Sequence, residues 1–317
     1  MKILTPFFWN NKKLSIFSIL LLPFTILIII NNFLIKLKEN KKKNKKIKTI
    51  CVGNIYIGGT GKTPLAIEIS KITKKLKYKT TFIKKFYKES IDEQILLKKN
   101  GNCISSLINR PHALGEAITR KYDLAIFDDG LQDTSINYDL KIVCFNAQKF
   151  LGNGFLIPAG PLREKLNSLK KYDAVFFNGE TKGINSKIMQ IKKYNKDIKI
   201  FETTYCLPGQ INFQKKKKYI AFAGIGIPEN FYNTLIANNF NIIKFLKYPD
   251  HYNYPKFEIK KIEKIAKSLN AKIITTEKDY FRIVNKYSLK NSSIKAIKMK
   301  LKIKDEKKFI TFLKNKI

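Results

Sequence analysis

The string Gly58-Gly59-Thr60-Gly61-Lys62-Thr63, followed at once by Pro64, limits what this chain can fold into more than any other stretch. It follows an apolar run, Thr49–Gly53, and precedes a helical pattern over Thr63–Leu76. A glycine-rich turn between a strand and a helix is the setting of a phosphate loop. Gly58, Gly59, Thr60 and Gly61 let backbone N–H groups turn toward a phosphate without a Cβ in the way, and the positive end of the helix adds to the pull. In that arrangement Lys62 reaches the β- and γ-phosphates of ATP and the Thr63 hydroxyl binds Mg²⁺. Pro64 sits in the first helical turn, where no N–H is missed. The strict pattern G-x-x-x-x-G-K-[ST] places glycine where this chain has Tyr56, so the loop is a variant. The plain alternative is a glycine-rich turn that binds nothing.

A second stretch agrees with the first. Leu124–Phe127 reads as an apolar strand ending in Asp128-Asp129-Gly130. A carboxylate at the end of a strand beside a phosphate loop can hold Mg²⁺ directly or through water, and Asp128 is the candidate. Alone, the same three residues could be an ordinary turn. Thr80–Ile83, Lys141–Phe145 and Ala174–Phe177 also read as strands, and Ile91–Lys99 and Pro111–Lys121 as helices. That order predicts an α/β fold, a P-loop NTPase-like core with a mainly parallel sheet. A second series follows the lysine run 215–218, with strands at Tyr219–Ala223, Ile242–Leu246 and Lys272–Thr275. Ile259, Ile262, Ile265, Ala266 and Leu269 line one face of a helix between the last two. The polar stretch 207–218 reads as a linker. The expected division is 1–40 as an N-terminal membrane helix, 41–210 as the phosphate-loop core and 211–317 as a smaller C-terminal α/β domain.

At 317 residues, two domains with sizeable cores are expected. Four scattered cysteines without a C-x-x-C pair argue against a disulfide framework or a zinc site. Only two histidines, His112 and His251, are present, which leaves no histidine-rich metal centre. The formal charge is +38, yet only four of 62 basic residues are arginine. A reader of nucleic acid bases would use more arginine, so no nucleic-acid partner is expected; an anionic membrane or phosphate suits the charge. Cys51, in the strand before the loop, is expected to be buried packing, and His112 a helix-start or surface residue.

Between Lys13 and Lys36 lie 22 residues without charge, close to the ~20 that cross a bilayer core. Pro23 and Asn31-Asn32 interrupt a simple spanning helix. No small-x-small cleavage pattern follows, so a signal peptide is disfavoured. Lys36, Lys38, Lys41, Lys42, Lys43, Lys45, Lys46 and Lys48 come after it, against Lys2, Lys12 and Lys13 before it. A spanning helix would leave the rest of the chain in the cytoplasm, and an interfacial one would bring the lysines to anionic head groups. Phe7, Phe8 and Trp9 are expected at the membrane interface.

The phosphate loop belongs to a longer string, Val52–Pro64. Further strings follow: FDDGLQ at Phe127–Gln132, GNGFLIPAGPLRE at Gly152–Glu164, FAGIGIPENF at Phe222–Phe231, YPDHYNY at Tyr248–Tyr254 and TTEKD at Thr275–Asp279. Together and in this order they resemble the tetraacyldisaccharide 4'-kinase family over nearly the whole chain. The resemblance implies ATP- and Mg²⁺-dependent phosphorylation of the 4'-hydroxyl of a tetraacylated glucosamine disaccharide 1-phosphate, forming lipid IVA of the lipid A pathway. It implies work at the cytoplasmic face of the bacterial inner membrane, on a lipid A disaccharide precursor, with inner membrane lipids nearby and no obligate protein partner. It also implies a C-terminal domain that closes over the active site.

Residue roles follow where positions match. The resemblance implies Lys62 and Thr63 for the triphosphate and Mg²⁺, and Asp128 and Asp129 for the metal and the reacting centre. Asp92-Glu93 matches an acidic pair opening a helix, and Asp92 is implied to take the proton of the sugar hydroxyl with help from His251. Unaided, Asp92 reads equally as a helix-start acid favoured by the dipole. Gln132 is expected in the same site, and Arg110 and Arg163 as phosphate or head-group clamps. Two departures stand out. Ile83-Lys84-Lys85-Phe86-Tyr87 replaces a Ser-Arg-Gly-Tyr type of stretch, and Asp133 stands where the family often has histidine. The alternative function is a membrane-associated P-loop ATPase switch driven by a protein partner.

Overall fold

A computed structural model of the chain describes residues 6–10, 15–37, 46–87, 91–179, 183–208, 213–214, 216–287 and 293–317. They form two compact units: 1–86 with 100–204 and 303–317, and 87–99 with 205–302. The sequence expectation divides the chain at 40/41 and 210/211; the two contact units place 87–99 with the second and 303–317 with the first.

The first unit begins with α1 (Ile16–Leu21) and α2 (Thr25–Leu37). These replace the single membrane helix expected over 1–40. Among the described residues no helix is long and apolar enough to cross a membrane. The break falls at Pro23, which has no N–H to continue the ladder. Ser18, Thr25 and Asn32 face the protein, while many apolar residues of the segment face out. Ser18 is 1% exposed, while Leu20 and Leu27 are each 65% exposed. Asn153 Nδ2 donates to Ser18 Oγ at 3.1 Å, and Asn32 Nδ2 donates to Arg163 O at 2.9 Å. Of the aromatic trio, only Phe7 is exposed. Trp9 is buried and donates its indole N–H to Pro158 O at 3.0 Å, which corrects its expected interfacial place. Lys2, Lys12, Lys13, Lys38, Lys41, Lys42, Lys43 and Lys45 lie outside the described residues.

The sheet of this unit is built from β1 (Lys48–Gly53), β2 (Thr80–Lys85), β3 (Asn102–Ser106), β4 (Leu124–Asp128), β5 (Leu140–Asn146), β6 (Ala174–Asn178) and β7 (Lys199–Cys206). Its order is β12-β7-β6-β5-β1-β4-β2-β3, with β12 (Lys300–Ile303) ending where the chain rejoins the unit. From β7 to β3 every neighbouring pair is parallel. Near-continuous apolar runs such as Leu124–Phe127, fully buried, are what a parallel sheet covered on both faces requires. The crossovers use α3 (Lys62–Lys75), α5 (Arg110–Thr119) and α6 (Asn185–Lys192), and α10 (Glu306–Lys314) closes the chain. After β1 the chain builds to one side, through β2 to β4; β5 then lies on the other side of β1. Such a reversal leaves a crevice at the carboxyl ends of the strands, where ligands bind. Gly53, Asp128 and Lys84 all lie at that end.

The second unit carries a four-stranded parallel sheet in the order β11-β10-β8-β9, from β8 (Lys218–Ala223), β9 (Asn241–Lys247), β10 (Lys272–Thr276) and β11 (Ile294–Ile297). Its helices are α4 (Ile91–Asn100, all but its last residue), α7 (Pro228–Ala237), α8 (Lys256–Ser268) and α9 (Glu277–Tyr287). Ile259, Ile262 and Ala266 of α8 pack against Ile220, Phe222 and Ile273 of the sheet, as the helical spacing of the sequence predicts.

Candidate active site

The phosphate loop is held open by side chains on both flanks. Gly61, the N-cap of α3, has φ +80°, and Gly58 has φ +127°, both left-handed values that favour glycine. Asn54 Nδ2 donates to Thr60 Oγ1 at 3.0 Å, and the Asn178 amide donates to Thr60 O. Tyr56, where the strict pattern has glycine, is buried and pairs by an isolated bridge with Leu162. Its hydroxyl donates to Asn10 Oδ1 at 2.9 Å, and burial pushes its pKa up to about 12. The variant position thus ties the loop to the N-terminal segment.

Thr63 and Asp128 meet at the loop's mouth. Thr63 Oγ1 donates to Asp128 Oδ2 at 2.8 Å. The same oxygen receives Lys84 Nζ at 2.8 Å. Asp128 Oδ1 is buried and has no hydrogen-bond partner among the described residues. Two hard oxygen donors, one with unspent lone pairs, suit Mg²⁺, which takes one or two carboxylates and fills its shell with water and phosphate oxygens. Among the described residues no group of three acidic, cysteine or histidine side chains could hold a metal, so the fit is to this sparse kind of site.

Asp129 has φ +66° and turns away from Asp128. Lys62 Nζ lies 3.8 Å from Asp129 Oδ2, and Arg163 Nη1 lies 3.2 Å from Asp129 Oδ1. Gln132 accepts from Arg163 at 3.3 Å and donates to Glu164 Oε1 at 2.7 Å and to Asn54 O at 2.9 Å. Arg110, buried, binds Asp133 Oδ2 at 2.7 Å and the Asp129 carbonyl. The acid at position 133 therefore has a partner in this chain. Its burial raises its pKa, but the Ser135 and Arg110 hydrogen bonds outweigh that and the net shift is downward.

A separate cluster forms within the second unit. Asp92, buried in the first turn of α4, lies 3.6 Å from His251 Nδ1 through its Oδ2. That oxygen also receives Arg282 Nη2 at 2.6 Å, whereas Oδ1 has no hydrogen-bond partner among the described residues. Glu93 pairs with Lys278 at 2.8 Å. His251 has φ +57°, and its N–H donates to Gly224 O at 3.1 Å. Burial and then the Lys278 ammonium lower its pKa, against the pull of Asp250, Asp92 and Glu93, a net shift that favours the neutral ring. A neutral imidazole beside a carboxylate can accept or relay a proton.

Each expected residue thus falls into one of two clusters. Lys62, Thr63, Asp128, Asp129, Gln132, Arg110 and Arg163 lie in the first unit, and Asp92 and His251 in the second. His112 is exposed, and its N–H donates to the N-cap Asn109. Cys51 is fully buried, and burial raises its thiol pKa. Sequence reasoning did not assign Asn54, Lys84, Glu164, Asn178, Lys278 or Arg282. For Lys278 and Arg282 a signal existed. The T-x-x-D spacing of Thr276 and Asp279 marks the start of α9: Thr276 Oγ1 accepts the Asp279 N–H at 3.2 Å, the N-cap half of a capping box, and donates to Asp279 Oδ2 at 2.7 Å.

Residues 14–317 match the family described as tetraacyldisaccharide-1-P 4'-kinase, LpxK. A tetraacyldisaccharide 4'-kinase of Pelagibacter ubique is 49% identical over 308 residues, 97% of this chain and 96% of that protein. One of Rickettsia felis is 33% identical over 321 residues, 95% of this chain and 94% of that protein. Among solved structures, LpxK of Aquifex aeolicus, in an "apo" form in complex with ATP, aligns with TM-score 0.68 at 22% identity, covering 94% of this chain and 98% of that one. This last likeness is one of fold.

Proposed function

The chain belongs to the tetraacyldisaccharide 4'-kinase family, and on that premise we propose how its residues share out the reaction. It is a lipid kinase that uses ATP to phosphorylate the 4'-hydroxyl of a tetraacylated glucosamine disaccharide 1-phosphate in lipid A biosynthesis, giving lipid IVA. The loop Gly58–Gly61 and Lys62 bind the triphosphate. Thr63 Oγ1 and Asp128 would hold Mg²⁺, which when bound would neutralise charge on the triphosphate. Lys62, Asp129 and Arg163 set the charge around the transferring phosphoryl group. Gln132 braces Asp129's partner Arg163 against Glu164. Arg110 is spent on the turn, holding Asp133 and the Asp129 carbonyl.

Asp92 takes the proton of the 4'-hydroxyl on its unspent oxygen, and neutral His251 shares that proton. Arg282 keeps Asp92 in place. The outward apolar residues of α1 and α2 lie in the interface of the bacterial inner membrane on its cytoplasmic face, with Lys36 at anionic head groups.

The observation that carries the nucleotide assignment is the Thr63–Asp128 hydrogen bond of 2.8 Å at the mouth of a glycine loop. The test is labelled MgATP with the tetraacylated disaccharide 1-phosphate in detergent. Label should enter the lipid with wild type and not with Lys62→Ala, and Asp92→Ala should lower kcat far more than ATP affinity. Labelling by Lys62→Ala would refute the phosphate-loop role. ATP hydrolysis that needs Lys62 but labels no lipid would favour the partner-driven ATPase.

A further inference from the structure

Lys84 is the one charged side chain at the phosphate centre that none of these roles uses. It lies on β2, whose Ile83 is level with Phe127 of β4, so residue 84 comes level with the end of β4 at Asp128. Its side chain is 5% exposed and that of Asp128 is 0% exposed. A buried ammonium is costly unless an anion meets it, and Asp128 does so at 2.8 Å. The pairing is lopsided. Lys84 and Thr63 both donate to Oδ2, while Oδ1 has no partner among the described residues.

We propose that Lys84 is a second phosphate-contacting lysine of this kinase, its ammonium passing from Asp128 to the terminal phosphate of the incoming nucleoside triphosphate. The inference rests on the reading that Lys62, Thr63 and Asp128 form the nucleotide site. A hard cation drawn to Thr63 and Asp128 repels an ammonium on the same carboxylate oxygen. The anion that arrives with it is the triphosphate, and its terminal oxygens are the strongest acceptors available to a buried lysine. The flexible four-carbon stem of lysine permits that change of partner without a change of backbone. Lys84 belongs to the stretch Ile83–Tyr87, which stands in place of a Ser-Arg-Gly-Tyr type.

The test reads nucleotide affinity with Mg²⁺ present, since the cation is what displaces Lys84 from Asp128. Calorimetric titration of the full chain in detergent with excess Mg²⁺ compares ATP and ADP for wild type, Lys84→Met, Lys84→Arg, Asp128→Asn, the double variant Lys84→Met/Asp128→Asn and Lys62→Ala. Loss of one charge-assisted contact should weaken ATP binding by Lys84→Met at least about tenfold and ADP binding by no more than about twofold. Lys84→Arg should retain most of the ATP affinity. ATP binding by Lys84→Met equal to wild type, or equal losses for ATP and ADP, would overturn the proposal.

The double variant separates a phosphate contact from a mere counter-ion, even if Lys84→Met alone does not fold. It should bind ATP at least about tenfold more weakly than Asp128→Asn. Equal affinity of those two would show that Lys84 only neutralises Asp128. Wild-type ATP binding by Lys62→Ala would instead sink the underlying nucleotide-site reading.

Discussion

Arg282 ties Asp92 to the turn that carries His251. Its Nη2 lies 2.6 Å from Asp92 Oδ2, and its Nη1 reaches Asp279 Oδ1 at 2.8 Å, Gly224 O at 3.2 Å and Tyr252 O at 3.4 Å. Asp279 is itself held by the Gly224 N–H and the Tyr254 hydroxyl. One guanidinium thus spans α4, α9 and the loop after β9.

Arg282→Gln should lower kcat about 10- to 100-fold while leaving the KM for ATP within about threefold, because a displaced base slows proton removal and not nucleotide binding. It should also cost ~3 kcal/mol in urea unfolding, since two buried carboxylates lose their cationic partner. Steady-state kinetics decides: a raised KM for ATP with kcat intact would show that Arg282 does not position Asp92.

His251 makes stability depend on pH. Its folded pKa is depressed, chiefly by burial and then by Lys278, whereas the unfolded imidazole titrates near ~6.5. The unfolded chain therefore binds more protons between those two values. The contribution is fully present above about pH 6.5 and is lost as pH falls toward the folded value. Urea midpoints should drop over that window, and His251→Gln should flatten the drop. An unchanged slope in the variant counts against the depressed pKa.

Trp9 is the only tryptophan, so its fluorescence reports one site. It is 3% exposed. The folded protein should emit with a blue-shifted maximum, and anionic vesicles should shift it no further. A vesicle-dependent shift would return Trp9 to the membrane interface. Trp9→Ala should cost ~3–5 kcal/mol in urea unfolding.

Leu27 and Phe33 point outward from α2, at 65% and 60% exposed. Leu27→Asp with Phe33→Asp should leave the urea midpoint within about 0.5 kcal/mol of wild type, as exposed changes do. The same pair should sharply lower binding to anionic vesicles in a sedimentation assay. Undiminished vesicle binding would assign membrane attachment to another surface.

The expected strands and helices of both units stand within a few residues of their observed bounds, because apolar periodicity and glycine turns act over ten residues or so. β3, β7, β11, β12, α6, α7, α9 and α10 are not among the expected elements; β3 and β7 are only partly buried and carry little apolar pattern, β3 reading exposed, half-buried, buried, half-buried, buried. Length and lack of charge over 14–35 allow either a spanning or an interfacial helix; the described residues form two shorter helices, in which Ser18 and Asn32 find hydrogen-bond partners at Asn153 and Arg163.

By itself the sequence determined the phosphate loop, the carboxylate at the end of β4, the parallel α/β layers and, through ordered strings, the reaction. These are local chemistry, written in adjacent residues. Only the tertiary structure decided that α4 joins the second unit, that Lys84 meets Asp128 across 44 positions and that Arg282 meets Asp92 across 190. Such contacts are chosen by strand order and chain crossings, and by the need of each buried charge for an opposite one. No window along the chain contains both partners, so no local pattern could reveal them.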